Sequence, residues 1–297
     1  MPWIVASLVS AFFLGCYDLC TKHAVRDNAV LPVLFLANLC SALIWLVLMA
    51  LHAVAPALLP ASLTVASITW AQHGLMLAKS ALVAVAWVCS YFAVKHLPVS
   101  ISSPIRATIP AWTFIGALVI LAERPTVMET LGIVTTLVAF VELSFAGAKE
   151  GIHFHRDKWI GYLMVGTILA ALAGLFDKYL LGRVGFTPSM MQAWFSIYLA
   201  LLFLPLAVGW KLRWWPRHTF EWRWSVIAVS LTLLVGDYVY FNALRDPHAL
   251  ISVVASLRRG SALVAFAGGV LLYKEGNARR KIPAVIGVVI GIALTLA

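Results

Sequence analysis

Charge is what this chain has least of. Asp, Glu, Lys and Arg make up 11% of its 297 residues, where a soluble chain carries about 25%, so an ordinary water-facing surface cannot be built from it. Acids are scarcer still, 12 against 22 Lys and Arg. The four cysteines, Cys16, Cys20, Cys40 and Cys89, fall inside apolar runs with no metal-type cluster around them and read as small packing residues. No Gly-rich phosphate loop, His-Glu-x-x-His helix or Gly-x-Ser-x-Gly elbow occurs. That argues against an enzyme, and against transport driven by ATP held in this chain. His153 and His155 are two possible ligands with no third nearby, too few for a metal site. No metal and no cofactor is expected. The start, Met1-Pro2-Trp3, lacks a basic n-region and a cleavage site, so the first apolar run reads as a retained span.

What is present is hydrophobic surface: 62% of residues are hydrophobic and the mean hydropathy is +0.94. An integral membrane protein follows, with spans of about 20 residues. Apolar stretches at about 3–22, 30–51, 72–96, 99–121, 127–147, 158–181, 187–209, 223–244, 248–272 and 280–297 predict ten helical spans in an all-α fold. Prolines such as Pro98, Pro125, Pro188 and Pro247 mark their ends. The net charge of +10 does not point to nucleic acid. The basic residues lie singly in spans or in short loops, as the positive-inside rule and acidic headgroups require. Alternate loops carrying Lys22 and Arg26, Lys95, Lys149 to Lys158, Lys211 to Arg223, and Lys274 to Lys281 would be cytoplasmic, placing both termini outside. Trp70, Trp159, Trp210, Trp214, Trp215, Trp222 and Trp224 sit near span ends as an interfacial belt. The stretch from Lys211 to Trp224 suits a headgroup surface.

The chain repeats itself. Gly15-Cys16-Tyr17-Asp18 reappears as Gly174-Leu175-Phe176-Asp177, and Tyr91-Phe92 before Pro98 as Tyr240-Phe241 before Pro247. Arg106 and Glu123 are matched in the same order by Arg258 and Glu275. Five spans in each copy put the copies in opposite orientation, an inverted repeat with a site where the halves meet. The units expected are 1–147 and 158–297, joined by a polar loop at 148–157.

These residues, above all Tyr91 through Gly132 and Tyr240 through Gly291, resemble the drug/metabolite transporter superfamily, and within it the EamA-type permeases. The resemblance implies a ten-helix permease of the inner (plasma) membrane that exports small molecules. It also implies cytoplasmic termini, against the loop charges.

A charge near the bilayer centre costs about 2.5–3.5 kcal/mol on insertion scales, so each needs a reason. Asp18 and Asp177 lie in the first helix of each repeat and are candidates to bind an amino group or exchange a proton. Local alternatives are an ion pair of Asp18 with Lys22 at i+4 and a poorer one of Asp177 with Lys178. Arg106 and Arg258 lie in the fourth helix of each repeat, where they would hold a carboxylate or phosphate or pair with Asp237 or Glu142. Ser252, Ser256 and Arg259 share a helical face, and the inward choice between Arg258 and Arg259 stays open. Asp237 shares a face with Tyr240 and Phe241, the wall of a cation cage or an arginine partner. Lys79 is expected to snorkel to the interface, Glu123 and Glu275 to make loop ion pairs or anchor hairpins, and Gly287 and Gly291 to pack the last helix.

Together these residues predict a secondary transporter of a small amino-bearing or zwitterionic metabolite, acting by alternating access with possible proton coupling. Asp18, Asp177, Arg106, Arg258, Arg259, Asp237, Tyr240 and Ser256 are its expected substrate-binding residues. The alternatives are a flippase or transporter of a phosphorylated or lipid-linked substrate, and a non-transporting membrane partner. The partners expected are substrate and membrane lipids, with the chain a monomer or homodimer.

Overall fold

The computed structural model describes residues 2–97, 105–106, 108–145, 157–214, 219–261, 263–264, 267 and 278–296. Regular structure among them is all helical. In chain order the helices are α1 (Pro2–Val25), α2 (Val30–Val54), α3 (Trp70–His96), α4 (Ile109–Ile120) and α5 (Val127–Phe145). They continue with α6 (Lys158–Tyr179), α7 (Pro188–Lys211), α8 (Ser225–Arg245), the short α9 (Ile251–Leu257) and α10 (Ala278–Leu296).

Six stretches are long and apolar enough to cross a bilayer: α1, α2, α3 as far as Ser90, α6 through Val184, α7 and α8. Ile109–Ile120, Val127–Ala139 and Ile282–Leu296 are shorter apolar helices. Of the expected spans at 99–121 and 248–272 the described residues show α4, of 12 residues, and α9, of 7, while residues 98–104 and 268–277 lie outside the described residues. Pro98, Glu275, His153 and His155 lie outside them as well.

Local chemistry sets the helix starts. Thr69 and Gln72 form a reciprocal capping box that opens α3, satisfying amide donors that the first turn leaves orphaned. Thr126 and Glu129 repeat that exchange before α5. Asp157 accepts from the Trp159 amide and Thr187 from the Met190 amide, with Pro188 pre-set for the first turn of α7. α6 ends in a π-helical turn, Leu180–Val184, closed by Gly185 at φ 85°, a conformation that glycine adopts without a Cβ penalty.

The packing interleaves early and late helices. α1 lies along α8 and α3 along α6; α2 packs on α7, and α5 on α10; α4 touches α6, and α9 with its following turn touches α1. Bare glycines permit the closest crossings. A Cβ at Gly291 would sit 2.9 Å from the Gly132 carbonyl, and one at Gly287 2.7 Å from the Ala139 Cβ. The glycines of the last helix therefore pack within the bundle, against α5.

Candidate functional site

α9 stops being an α-helix where its two arginines stand. Leu257 ends it and Arg258–Gly260 form a 3₁₀ turn. Such a turn inside a span is a common mark of a hinge or a site. The sequence left open which arginine faces inward, because a regular helix separates neighbours by about 100°. With the turn broken, each meets a different set of acids.

Arg258 faces Asp237. Its Nη2 donates to Asp237 Oδ1 at 2.9 Å, and its guanidinium carbon lies 3.9 Å from the Tyr240 ring centroid. The cation that Asp237 and Tyr240 hold here is thus the protein's own. Tyr240 is buried, and its hydroxyl interacts with Asp177 on α6. Gly174, one turn before Asp177, lies beside it: a Cβ there would make an ordinary 3.7 Å contact with the Tyr240 oxygen.

Asp177 pairs with Lys79, not with its neighbour Lys178. Lys79 Nζ lies 3.1 Å from Asp177 Oδ1, with the two side chains 1% and 10% exposed. The ammonium also lies 3.3 Å from the Phe195 ring centroid and 4.9 Å from that of Phe241. This overturns the expected snorkelling of Lys79. Lys79 stands ten residues after the cap Thr69, about 15 Å along the helix, too deep for its stem to reach the interface. Lys178 instead donates to the Leu244 and Asp246 carbonyls at the end of α8. The cap at Thr69 was the available signal for the depth of Lys79. Phe195 had none, being one apolar residue among many.

Asp18 lies in different surroundings. It is exposed to solvent, although Arg106, Arg258 and Arg259 all act on it electrostatically. Gly15, one turn earlier, brings α1 onto the chain just past the arginine turn: a Cβ there would lie 2.8 Å from the Ser261 carbonyl oxygen. Arg106 is also exposed. A small neighbouring cavity, of about 20 Å³, is lined by residues that include Tyr17, Thr21, Asn38, Ser41 and Trp87. Across its wall Ser41 and Ser230 share a hydrogen bond of 2.7 Å.

Three donors at the break have no hydrogen-bond partner among the described residues: Arg258 Nε, Arg259 Nε and the Ser256 hydroxyl. Ser252 does not join them. Its hydroxyl and amide donate to Glu123 at 2.7 and 3.2 Å, and the Ile251 amide donates to Glu123 at 2.7 Å. Glu123 anchors a helix start rather than forming a loop ion pair, since a carboxylate satisfies the orphan amides and the dipole of α9. Glu142 is exposed on α5, with no part in this cluster. Among the described residues no group of His, Cys, Asp and Glu could hold a metal.

Comparison with known proteins agrees with this architecture. Residues 1–145 match the EamA-like transporter family. One crystal structure, 14% identical, aligns over 98% of this chain and 96% of its own at a TM-score of 0.71, a likeness of fold alone. No curated protein matches the sequence. The chain is a multi-pass membrane protein whose residues 1–145 match the model of the EamA-like transporter family.

Proposed function

We propose that this protein is a secondary transporter of ten membrane helices, built as inverted five-helix repeats at 1–147 and 158–297 around the loop 148–157. In this reading it exports a small amino-bearing or zwitterionic metabolite across the inner (plasma) membrane by alternating access. The exchange in helix contacts supports the repeats. If α1 to α5 correspond to α6 to α10, the α1–α8 contact becomes α6–α3, and the α1–α9 contact becomes α6–α4; α2–α7 and α5–α10 map onto themselves. Direction follows the family habit.

The observation that carries the substrate class is Asp18 standing in the field of Arg106 and Arg259, beside donors that have no partner. An ammonium would bind Asp18 while a carboxylate takes the guanidinium donors, a charge-assisted arrangement. Asp177 and Asp237 are already engaged by Lys79 and Arg258. Proton coupling in this reading belongs to Asp18, the acid that solvent reaches. Asp18→Asn should then abolish pH-driven flux at normal folded yield, and unchanged pH dependence would remove the coupling.

One observation favours a second reading. Lys79, Arg106, Arg258 and Arg259 outnumber Asp18, Asp177 and Asp237 in the cluster, and an excess cation also suits a phosphorylated or lipid-linked substrate. Thermal stabilisation of the detergent-purified protein against a metabolite panel separates the two. Shifts with amino acids or amines, lost in Asp18→Asn and Arg259→Ala, support the zwitterion reading. Shifts confined to lipid phosphates would replace it, and no shift with either class would leave transport of both unsupported.

A further inference from the structure

On the outer side of α2 and α8 runs a groove whose wall is almost wholly apolar. α2 contributes residues from Leu36 to Leu48, and the opposite wall is Trp222, Val226 and Ile227. Leu43 and Trp222 are exposed. At 1.5 Å per residue the α2 wall is about 18 Å long, close to one leaflet of a hydrocarbon core about 30 Å thick. One extended acyl chain of one leaflet would cover it.

The end of the groove near Trp222 is built, not loose. Asn28 Nδ2 donates to the Glu221 carbonyl at 2.8 Å, and the Glu221 amide donates to Asn28 Oδ1 at 2.9 Å. Arg223 donates to the carbonyls of His23 and Arg26 at 2.9 and 2.6 Å. These bonds tie the α1–α2 turn to the chain leading into α8, and they hold Trp222 and Trp224 at the rim with exposed indoles, the side chains typical of headgroup depth. Among the described residues the Arg26 side chain, 72% exposed, has one ion-pair contact, with Asp27 at 3.7 Å, while Glu221 is taken by Arg223 at 3.1 Å. Lys211 and Arg213, also exposed, add to the positive charge of the loops at this end of the bundle.

We propose that this groove is a binding site for an anionic phospholipid, with one acyl chain along α2 and the headgroup phosphate at Arg26. Apolar length sets where the chain lies, and the basic rim selects the headgroup, since Lys and Arg near the membrane surface favour an anionic lipid. The site is separate from the charged interior, so it stands or falls independently of what that interior transports.

Native mass spectrometry of the full-length, detergent-purified protein tests it, using phosphatidylglycerol and phosphatidylcholine with identical acyl chains. Wild type should retain one phosphatidylglycerol about fivefold more tightly than phosphatidylcholine. Leu43→Trp, and Ile227→Trp from the opposite wall, fill the groove and should lose that lipid while remaining folded by circular dichroism. Arg26→Ala should keep a lipid but lose the headgroup preference. Equal retention in both filled variants overturns the site, and so does a wild type indifferent to headgroup. A dimer mass abolished by Leu43→Trp would give the face to a second copy and equally overturn the proposal.

Discussion

The two acids that the sequence repeat places in register, Asp18 and Asp177, are treated oppositely by the fold. Asp177 is sealed: Lys79 faces it, Phe195 and Phe241 flank that ammonium, and Tyr240 closes the side toward Arg258. Asp18 is open to solvent while arginines surround it. The repeated acid thus stands in two different environments. The closed copy pairs its charge with Lys79; under the proposed function the open copy keeps its charge for a substrate. Under the alternating-access proposal the two would exchange surroundings during transport.

The largest effect should come from breaking the sealed copy. Lys79→Ala leaves Asp177 buried without its counter-ion, and removal of one partner from a buried pair costs about 3–5 kcal/mol. Thermal denaturation in detergent should show a clear loss of stability, largely restored by the double change Lys79→Met with Asp177→Leu. If Lys79→Ala is as stable as wild type, the cage does not hold the fold together.

Asp18→Asn should do the reverse. Asp18 reaches solvent but stands amid Arg106, Arg258 and Arg259, so its neutralisation should cost less stability than Lys79→Ala does. Binding of an amino-bearing substrate should fall about tenfold or more, which equals about 1.4 kcal/mol. Substrate-induced stabilisation measured beside the unliganded melting point reads both quantities. A variant that melts early but binds normally would erase the contrast between the copies.

Much of this contrast was legible in the sequence and its key member was not. The repeat put Asp18, Asp177, Arg106 and Arg258 in equivalent helices, and the pairing of Arg258 with Asp237 was among the stated alternatives. Lys79 was missed because its depth depends on where α3 begins, and two residues of error decide whether a lysine can snorkel. The inward choice between Arg258 and Arg259 was posed as exclusive because it assumed a regular helix. The 3₁₀ turn removes that assumption, and no residue in the run Leu257-Arg258-Arg259-Gly260 announces it apart from the glycine. Glu123 as the cap of α9 was equally hidden, since its partners Ile251 and Ser252 are distant in sequence and only the fold brings them together.

The arginines sharpen the comparison further. Both arginines keep an Nε with no hydrogen-bond partner among the described residues, but Arg258 is also stacked on Tyr240 and hydrogen-bonded to Asp237. Lysine cannot reproduce the planar fork at either place. Arg258→Lys should therefore cost stability, about 1–2 kcal/mol for a desolvated contact on an aromatic face, and Arg259→Lys should instead weaken substrate binding with the melting point unchanged. Identical phenotypes for the two would mean that the turn does not divide their roles.

Ser256 offers the smallest effect and the cleanest sign. Its buried hydroxyl has no partner among the described residues, so the folded protein already bears the cost of an unmet polar group, about 1–3 kcal/mol. If that hydroxyl were merely structural, Ser256→Ala would be neutral or slightly stabilising and nothing else would change. If it is held for a ligand, Ser256→Ala should raise the melting point by a small amount and lower substrate affinity a few fold, about one neutral hydrogen bond's worth of 0.5–1.5 kcal/mol. Opposite signs in one variant separate a site from a packing defect, because loss of packing weakens both quantities together. Ser252→Ala is the control: its hydroxyl is spent on Glu123, so it should lower stability and leave binding per folded molecule intact.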